Sequence, residues 1–383
     1  MFIVVASVVI FIYGMLASML GTIVPSLGTR LLLTNVEISY LALAQGIGLA
    51  ATSVFAGAFM DRSGKKIGVV IGLCAAIAGL AMLSHPINLE FSIAAMAILG
   101  VGGSLVIVGA NAIVNDVSET RRASALNILN LFVGLGGMAT PFVAGNLLHS
   151  DAVRVAWCAM AIAGMALILT LATPLKHRPA LVRAKSDAGV FSNRTLYVLS
   201  AITFLYTACE FAMWNWLPRY LIAANVPSAT ALNILSLGFA CGMLLGRLGA
   251  AQLLAKATPL PVLLAAATAM AATTFLMLSV SSPAVIAVVV FLAGLAMAPV
   301  FPTTIAIVGR IFAQKSGTAI GFAITCGFSG LVLSSPVIAW LSGSDPRRIG
   351  RGLLLVPVLS LVIMATLIVF HRALSDNDKK QAA

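Results

Sequence analysis

Charge is what this chain has least of. Lys and Arg number 23 and Asp and Glu 11, together 9% of its 383 residues, where an ordinary soluble domain carries about a quarter. So little polar surface cannot clothe a core of this length. A soluble globular fold is excluded, and so is a disordered chain, which needs high charge and low hydrophobicity. Cysteine is equally sparse. The five (Cys74, Cys158, Cys209, Cys241, Cys326) fall one per apolar run with no C-x-x-C spacing. They read as small buried apolar residues rather than a disulfide scaffold or metal ligands. No H-E-x-x-H, G-x-S-x-G or Walker loop occurs, so hydrolysis and ATP-driven pumping lack their residues. No enzyme activity, metal or cofactor is expected. The opening run has no basic n-region and no A-x-A site before its polar break, so no cleavable signal peptide is expected either.

What is present is apolar length. Hydrophobic residues make up 61% of the chain, in unalternating runs that each match the ~20 residues a helix needs to cross a bilayer. A membrane barrel would show alternation instead. The runs predict spans near 4–27, 38–60, 67–84, 91–114, 123–148 and 154–173, then 196–222, 230–254, 260–280, 284–309, 317–341 and 352–371. With the N-terminus placed inside, 17 of the Lys and Arg residues fall on the inner side and 6 on the outer. By the positive-inside rule both termini are cytoplasmic, and a bacterial inner membrane is the expected location. The net charge of +12 is thereby a matter of topology, and no nucleic-acid partner is expected.

The longest polar stretch lies at the midpoint. It divides the chain into an N-terminal six-helix bundle (1–175), a basic cytoplasmic linker (176–195), a C-terminal six-helix bundle (196–372) and a tail (373–383). An internal repeat supports the division. Phe11, Tyr13 and Pro25 recur as Phe204, Tyr206 and Pro218 at an offset of 193, and Pro141 recurs as Pro336 at 195. The fold class expected is an all-α membrane protein of twelve transmembrane helices in two pseudo-symmetric bundles, a plan that places a transporter's site near the bilayer midplane.

Glu210 is the most informative single residue. It is the acidic residue nearest the middle of a span, whereas Asp61, Asp116 and Glu37 lie at span ends. A charged group at such depth costs roughly 2.5–3.5 kcal/mol on insertion scales, and a neutral carboxyl costs less. A group that is neutral when sealed and charged when wetted is what proton coupling needs. Helical spacing places Thr203, Tyr206, Thr207, Glu210 and Trp214 on one stripe, which suits a ligand with hydroxyls and a stackable face. Asn215 beside it, Asn111 in span 4 and Gln45 in span 2 are further candidate substrate contacts; interhelical glue is the plainer reading of the amides. Asn115, Asn127 and Asn130 lie at similar inner depth. Trp216, off the stripe, reads as an interfacial anchor. The G-x-G strings inside apolar spans mean close helix approach, not nucleotide binding.

The loop after span 2, Gly57-Ala-Phe-Met-Asp61-Arg62-Ser-Gly64-Lys65-Lys66, resembles the G-x-L-x-D-R-x-G-R/K-R/K signature of the major facilitator superfamily, with Phe at the Leu position. The resemblance implies that fold and makes Gly57, Asp61, Arg62, Gly64, Lys65 and Lys66 a conformational gate, Asp61 facing the positive N-terminal end of helix 11 near Ser316–Thr318. The equivalent loop in the second half keeps Gly246-Arg247 but has no aspartate. Residues 204–221 around Glu210, and Gly294-Leu-Ala-Met-Ala-Pro299-Val-Phe-Pro302, are similar to spans 7 and 10 of the fucose–galactose–glucose:proton symporter family. That likeness implies a proton-coupled symporter of sugars or similar small polar metabolites working by alternating access, with helices 1, 4, 7 and 10 lining the cavity. Members of that group can carry acidic residues in spans 1 and 4; here Glu210 would have to act in their place, with sodium the alternative coupling ion. The pattern Gly134-x-x-Gly137-x-x-x-Pro141-x-x-x-Gly145 partly resembles drug:proton antiporters, so efflux on the same fold is the competing function. A non-transporting sensor would need a longer loop or an added domain. The expected partners are a small-molecule substrate, a proton and the bilayer, and nothing requires more than a monomer.

Overall fold

The computed structural model describes residues 2–117, 122–174, 191–254, 258–312, 316–343 and 345–371. These are helical with short turns, and no strand occurs among the described residues. We number the spans α1 (Phe2–Arg30), α2 (Asn35–Ser63), α3 (Lys65–Leu83), α4 (Leu89–Val117), α5 (Arg122–Asn146), α6 (Ala152–Ala172), α7 (Arg194–Ala223), α8 (Ser228–Leu254), α9 (Pro259–Ser279), α10 (Pro283–Ile311), α11 (Ser316–Ser342) and α12 (Pro346–Val369). Among the described residues eleven are long and apolar enough to span a membrane, and α5 contributes the shorter apolar stretch Leu131–Asn146.

Local sequence sets the helix ends. Thr34 and Glu37 form a reciprocal capping box that starts α2, satisfying two backbone donors that a helix start otherwise leaves open. Asp151 caps α6 by accepting from the Val153 and Arg154 amides. Gly64 ends α2 and begins α3 at φ 98°, a conformation that strains any residue with a Cβ. Proline opens α9 and α10 and also interrupts α10, whose two pieces meet at Ala298 and Pro299. In α8 residues Ile234–Ala240 wind as a π-helix.

The exterior is apolar: Trp340, Phe55, Val369 and Ile168 are exposed, as lipid-facing residues are. This alters one cysteine reading. Cys209 is buried and Cys158, Cys241 and Cys326 are half-buried, but Cys74 is exposed, on a face where the surrounding medium is itself apolar. Trp216 differs in the other direction. It is fully buried, so it packs inside the protein and is no anchor at the lipid interface.

The chain forms two compact units. One takes in Met1–Arg183 with Trp214–Ser236 and Gly343–Pro346. The segment from α7 is held there because Gly21 admits the Trp214 carbonyl and the Arg219 guanidinium donates to Asn35 Oδ1 at 3.0 Å and to the Leu33 carbonyl at 3.2 Å. Asn35, fully buried, donates in turn to the carbonyls of Gly343 and Asp345. Asn146 and Asn233 exchange amide hydrogen bonds at 2.6 and 3.1 Å. The other unit takes in Ala184–Met213, Leu237–Ser342 and Arg347–Ala383.

Within each unit the crossings repeat. In the first, a Cβ on Gly48 would overlap the Ala97 carbonyl and one on Gly100 the Gln45 carbonyl, so α2 and α4 touch backbone to backbone. In the second, Gly242 meets the Phe291 carbonyl and Gly294 the Phe239 carbonyl, joining α8 to α10. All four positions shift by 194. Gly136 against the Phe11 carbonyl reappears as Gly330 against the Phe204 carbonyl, the glycine shifted by 194 and its partner by 193. Lipid tails offer no hydrophobic drive for helices to associate, so close packing at small residues does that work.

Candidate functional site

Glu210 is the seventeenth residue of α7, about 24 Å along the helix at 1.5 Å per residue. The rotation of α7 is set by α11. Gly330 seats on the Phe204 carbonyl, and the Thr207 hydroxyl donates to the Gly327 carbonyl at 2.5 Å. That orientation turns Glu210 toward α8, where Arg247 lies 3.6 Å from its Oε1. Arg247 is placed by its neighbour: Gly246 lets α8 approach α10 at Ala298. The carboxylate side chain is 13% exposed and the guanidinium 26%, so the cation is the more open partner. Arg247 was counted above as a loop charge. A basic residue following a G-x-x-x-G crossing inside an apolar span is the signal that could have found it.

Tyr206 joins the pair. It is fully buried with its ring tilted 38° against Phe301, centroids 6.3 Å apart. Its hydroxyl lies near enough to Glu210 and Arg247 to interact with both charges, yet it makes no hydrogen bond of ordinary length. The Thr303 hydroxyl on α10 is also buried without a partner. Buried polar atoms of this kind are costly unless something satisfies them. The other hydroxyls of the stripe are occupied: Thr203 donates to the Leu199 carbonyl and Thr207 to its own helix and to α11.

The remaining sequence candidates fall in the first unit. Trp214 and Asn215 are buried there, Trp214 with its ring edge against Gly137. The Gln45 amide donates to the Leu16 carbonyl at 2.9 Å, and that of Asn111 to the Ile107 carbonyl at 2.8 Å. Asn115, Asn127 and Asn130 have side chains outside the described residues.

Of the gate residues, Lys65 donates to the Ala112 carbonyl of α4 at 3.3 Å. Lys66 donates to the Leu171 and Thr173 carbonyls at 2.7 and 2.8 Å, which places its charge on the negative end of α6. Arg62 is exposed. The Asp61 side chain, and those of residues 316–318 expected to face it, lie outside the described residues. Gly57 has open space where a Cβ would go. Gly57→Ala should therefore raise the melting temperature, since alanine gains roughly 0.5–1 kcal/mol over glycine within a helix. A transport rate that falls in that stabilised variant would report a second conformation in which α2 packs more tightly. A lowered melting temperature would contradict the open space.

No curated protein matches the chain in sequence. Among solved structures it is similar to the nucleoside transporter NupG (13% identity, 97% of this chain and 99% of that one, TM-score 0.78). It is similar also to the xylose transporter XylE from E. coli in an inward-open conformation (14%, 96% and 94%, TM-score 0.78). A variant of the E. coli fucose:proton symporter FucP follows (16%, 96% and 98%, TM-score 0.64). At these identities the likeness establishes the fold. The model of the Major Facilitator Superfamily matches residues 6–335. The chain thus belongs to the Major Facilitator Superfamily, as a multi-pass membrane transporter and not an enzyme.

Proposed function

We propose that the chain is a proton-coupled secondary transporter of sugars or similar small polar metabolites. It works by alternating access of its two six-helix halves (1–175 and 196–372, joined by 176–195), as a monomer in a bacterial inner membrane with both termini cytoplasmic. The observation that carries this reading is the Glu210–Arg247 pair within two apolar helices, Glu210 near the middle of α7 and Arg247 in the inner third of α8, beside the buried Tyr206 hydroxyl. Glu210 takes the proton. A sodium ion would want a cage of several oxygens, whereas the group 3.6 Å from Glu210 is a cation. Substrate meets Tyr206 first. Trp214, Asn215, Asn111 and Gln45 are further contacts, and the last two must release a backbone carbonyl to serve. Residues Gly57, Asp61, Arg62, Gly64, Lys65 and Lys66 form the gate.

The glycines that suggested an antiporter have packing roles. Gly137 borders the Trp214 ring, and Gly145 approaches Ala229 and Leu232. Efflux of hydrophobic compounds therefore has no observation of its own in its favour. In proteoliposomes, Glu210→Gln should abolish accumulation driven by a pH gradient while counterflow exchange stays measurable. Undiminished accumulation in that variant would remove Glu210 from the coupling. A thermal-shift comparison of sugars with lipophilic cations separates uptake from efflux by which class stabilises the protein.

A further inference from the structure

We infer that the transported metabolite carries one carboxylate, which Arg247 grips when the proton passes to Glu210; this rests on the proton-coupled reading above. The argument begins with unused donors. A guanidinium has five N–H groups arranged to fit a carboxylate in bidentate fashion. Among the described residues Arg247 has one ionic partner, Glu210 at 3.6 Å, beyond hydrogen-bond length, and no hydrogen bond. Tyr206 adds a fully buried hydroxyl that lies beside the same two charges and makes no hydrogen bond of ordinary length. Donors left open around a half-exposed cation define a place for acceptor oxygens.

Charge balance then selects the ligand. With the site empty, Glu210 and Arg247 neutralise one another. A proton alone on Glu210 would leave Arg247 uncompensated between apolar helices, and an anion alone would face the Glu210 carboxylate. Either step by itself is opposed, and the two together restore neutrality. Among the described residues the other titratable groups nearby are Tyr206 and Cys209 on α7. The facing stretches of α10 (Ala298 to Thr304), α11 (Gly327 to Gly330) and α12 (Val356 to Ser360) carry none. One cation balances a monoanion. A phosphomonoester, at about −1.5 to −2 near neutral pH, would exceed it, and a neutral sugar would leave the cation bare. The ligand class is a small hydroxylated monocarboxylate, a sugar acid. Loaded and empty sites carry the same charge, so transport is electroneutral.

The test uses the full-length protein in proteoliposomes with labelled D-gluconate and D-glucuronate as probes and D-glucose and D-galactose as neutral comparators. Protein-free vesicles correct for leak. The acids should accumulate at least tenfold under a pH gradient, and an imposed membrane potential should change their uptake less than twofold. Arg247→Lys, which keeps the charge but loses the fork, should raise KM at least tenfold. Glu210→Gln, a stand-in for the protonated state, should bind the acids with no dependence on pH in thermal shift. Neutral sugars accumulating under both pH gradient and potential, with acids neither accumulating nor competing, would overturn the carboxylate inference and leave proton coupling standing. Acid uptake driven by the potential would overturn the charge balance. Absence of pH-driven accumulation in both classes would sink the proton-coupled reading itself. Arg247→Lys with unchanged KM would overturn the bidentate grip.

Discussion

Arg247→Gln should lower the stability of the protein by about 3 kcal/mol, and Glu210→Gln placed beside it should return most of that loss. Removing one member of a buried ion pair strands the other, at a cost of roughly 3–5 kcal/mol; replacing both by neutral groups is often nearly free. The lower end applies here, because neither side chain is fully sealed, at 13% and 26% exposure, and the separation is 3.6 Å. Among the described residues no other cation pairs with the stranded carboxylate. Its other close polar neighbour is the Tyr206 hydroxyl, which could supply one hydrogen bond. Denaturation in mixed micelles provides the measurement, with the buried Trp216 and Trp214 as fluorescent reporters. The double variant closes the thermodynamic cycle. Additive single effects would mean that the two charges do not act on one another, and the site would lose its basis.

The pair also marks where the sequence is hard to read. Hydropathy located the spans because each helix is apolar along its whole length, and crossing a bilayer depends on that sum. Orientation about the helix axis leaves no such trace, since an outward face meets lipid as apolar as the core. Hence Cys74 and Trp216 face opposite ways from their sequence readings. Arg247 and Glu210 are 37 positions apart in a linear chain, and only the rotations imposed on α7 by Gly327 and Gly330, and on α8 by Gly246, bring them within 4 Å. A charge count by loops has no means of seeing this. The amides were legible as residues needing partners, and Gln45 and Asn111 found theirs on backbone carbonyls, which sequence position does not foretell.

The repeat shows what was conserved between halves and what was not. Prolines and the Phe-x-Tyr pair betray it at offsets of 193 and 195, while the glycine seats recur at 194 and report the packing directly. Shifted back by 194, Glu210 falls on Leu16 and Arg247 on Ser53. The crossings that build each unit are duplicated, and the ion pair is not. Scaffold and chemistry thus separate within one sequence: the symmetric residues hold helices together, and the charges that break the symmetry are the candidates for coupling.

The symmetric part makes the sharpest mechanical prediction. Gly100→Leu and Gly294→Leu should each leave almost no folded protein, and the corresponding alanine variants should each lose about 3 kcal/mol or more. Overfilling a packed contact costs typically 1–3 kcal/mol when side chains can yield. Here the obstacle is backbone. A Cβ on Gly100 overlaps the Gln45 carbonyl and sits 2.8 Å from the Leu49 amide nitrogen; on Gly294 it overlaps the Phe239 carbonyl and sits 3.0 Å from the Met243 nitrogen. No rotamer change relieves either, so α2 must part from α4, or α8 from α10, along the whole crossing. With a total stability on the order of 5–15 kcal/mol, a leucine at such a seat exhausts much of what there is. Gly164→Ala and Gly249→Ala, where a Cβ meets nothing within 4 Å, are the controls and should fold normally. Size-exclusion profiles of detergent extracts will distinguish the outcomes. The two seats should also respond alike, because equivalent atoms oppose the new Cβ in both. A Gly100→Leu protein that elutes as a folded monomer would mean that α2 and α4 do not cross backbone to backbone, and the duplicated scaffold would have to be drawn differently.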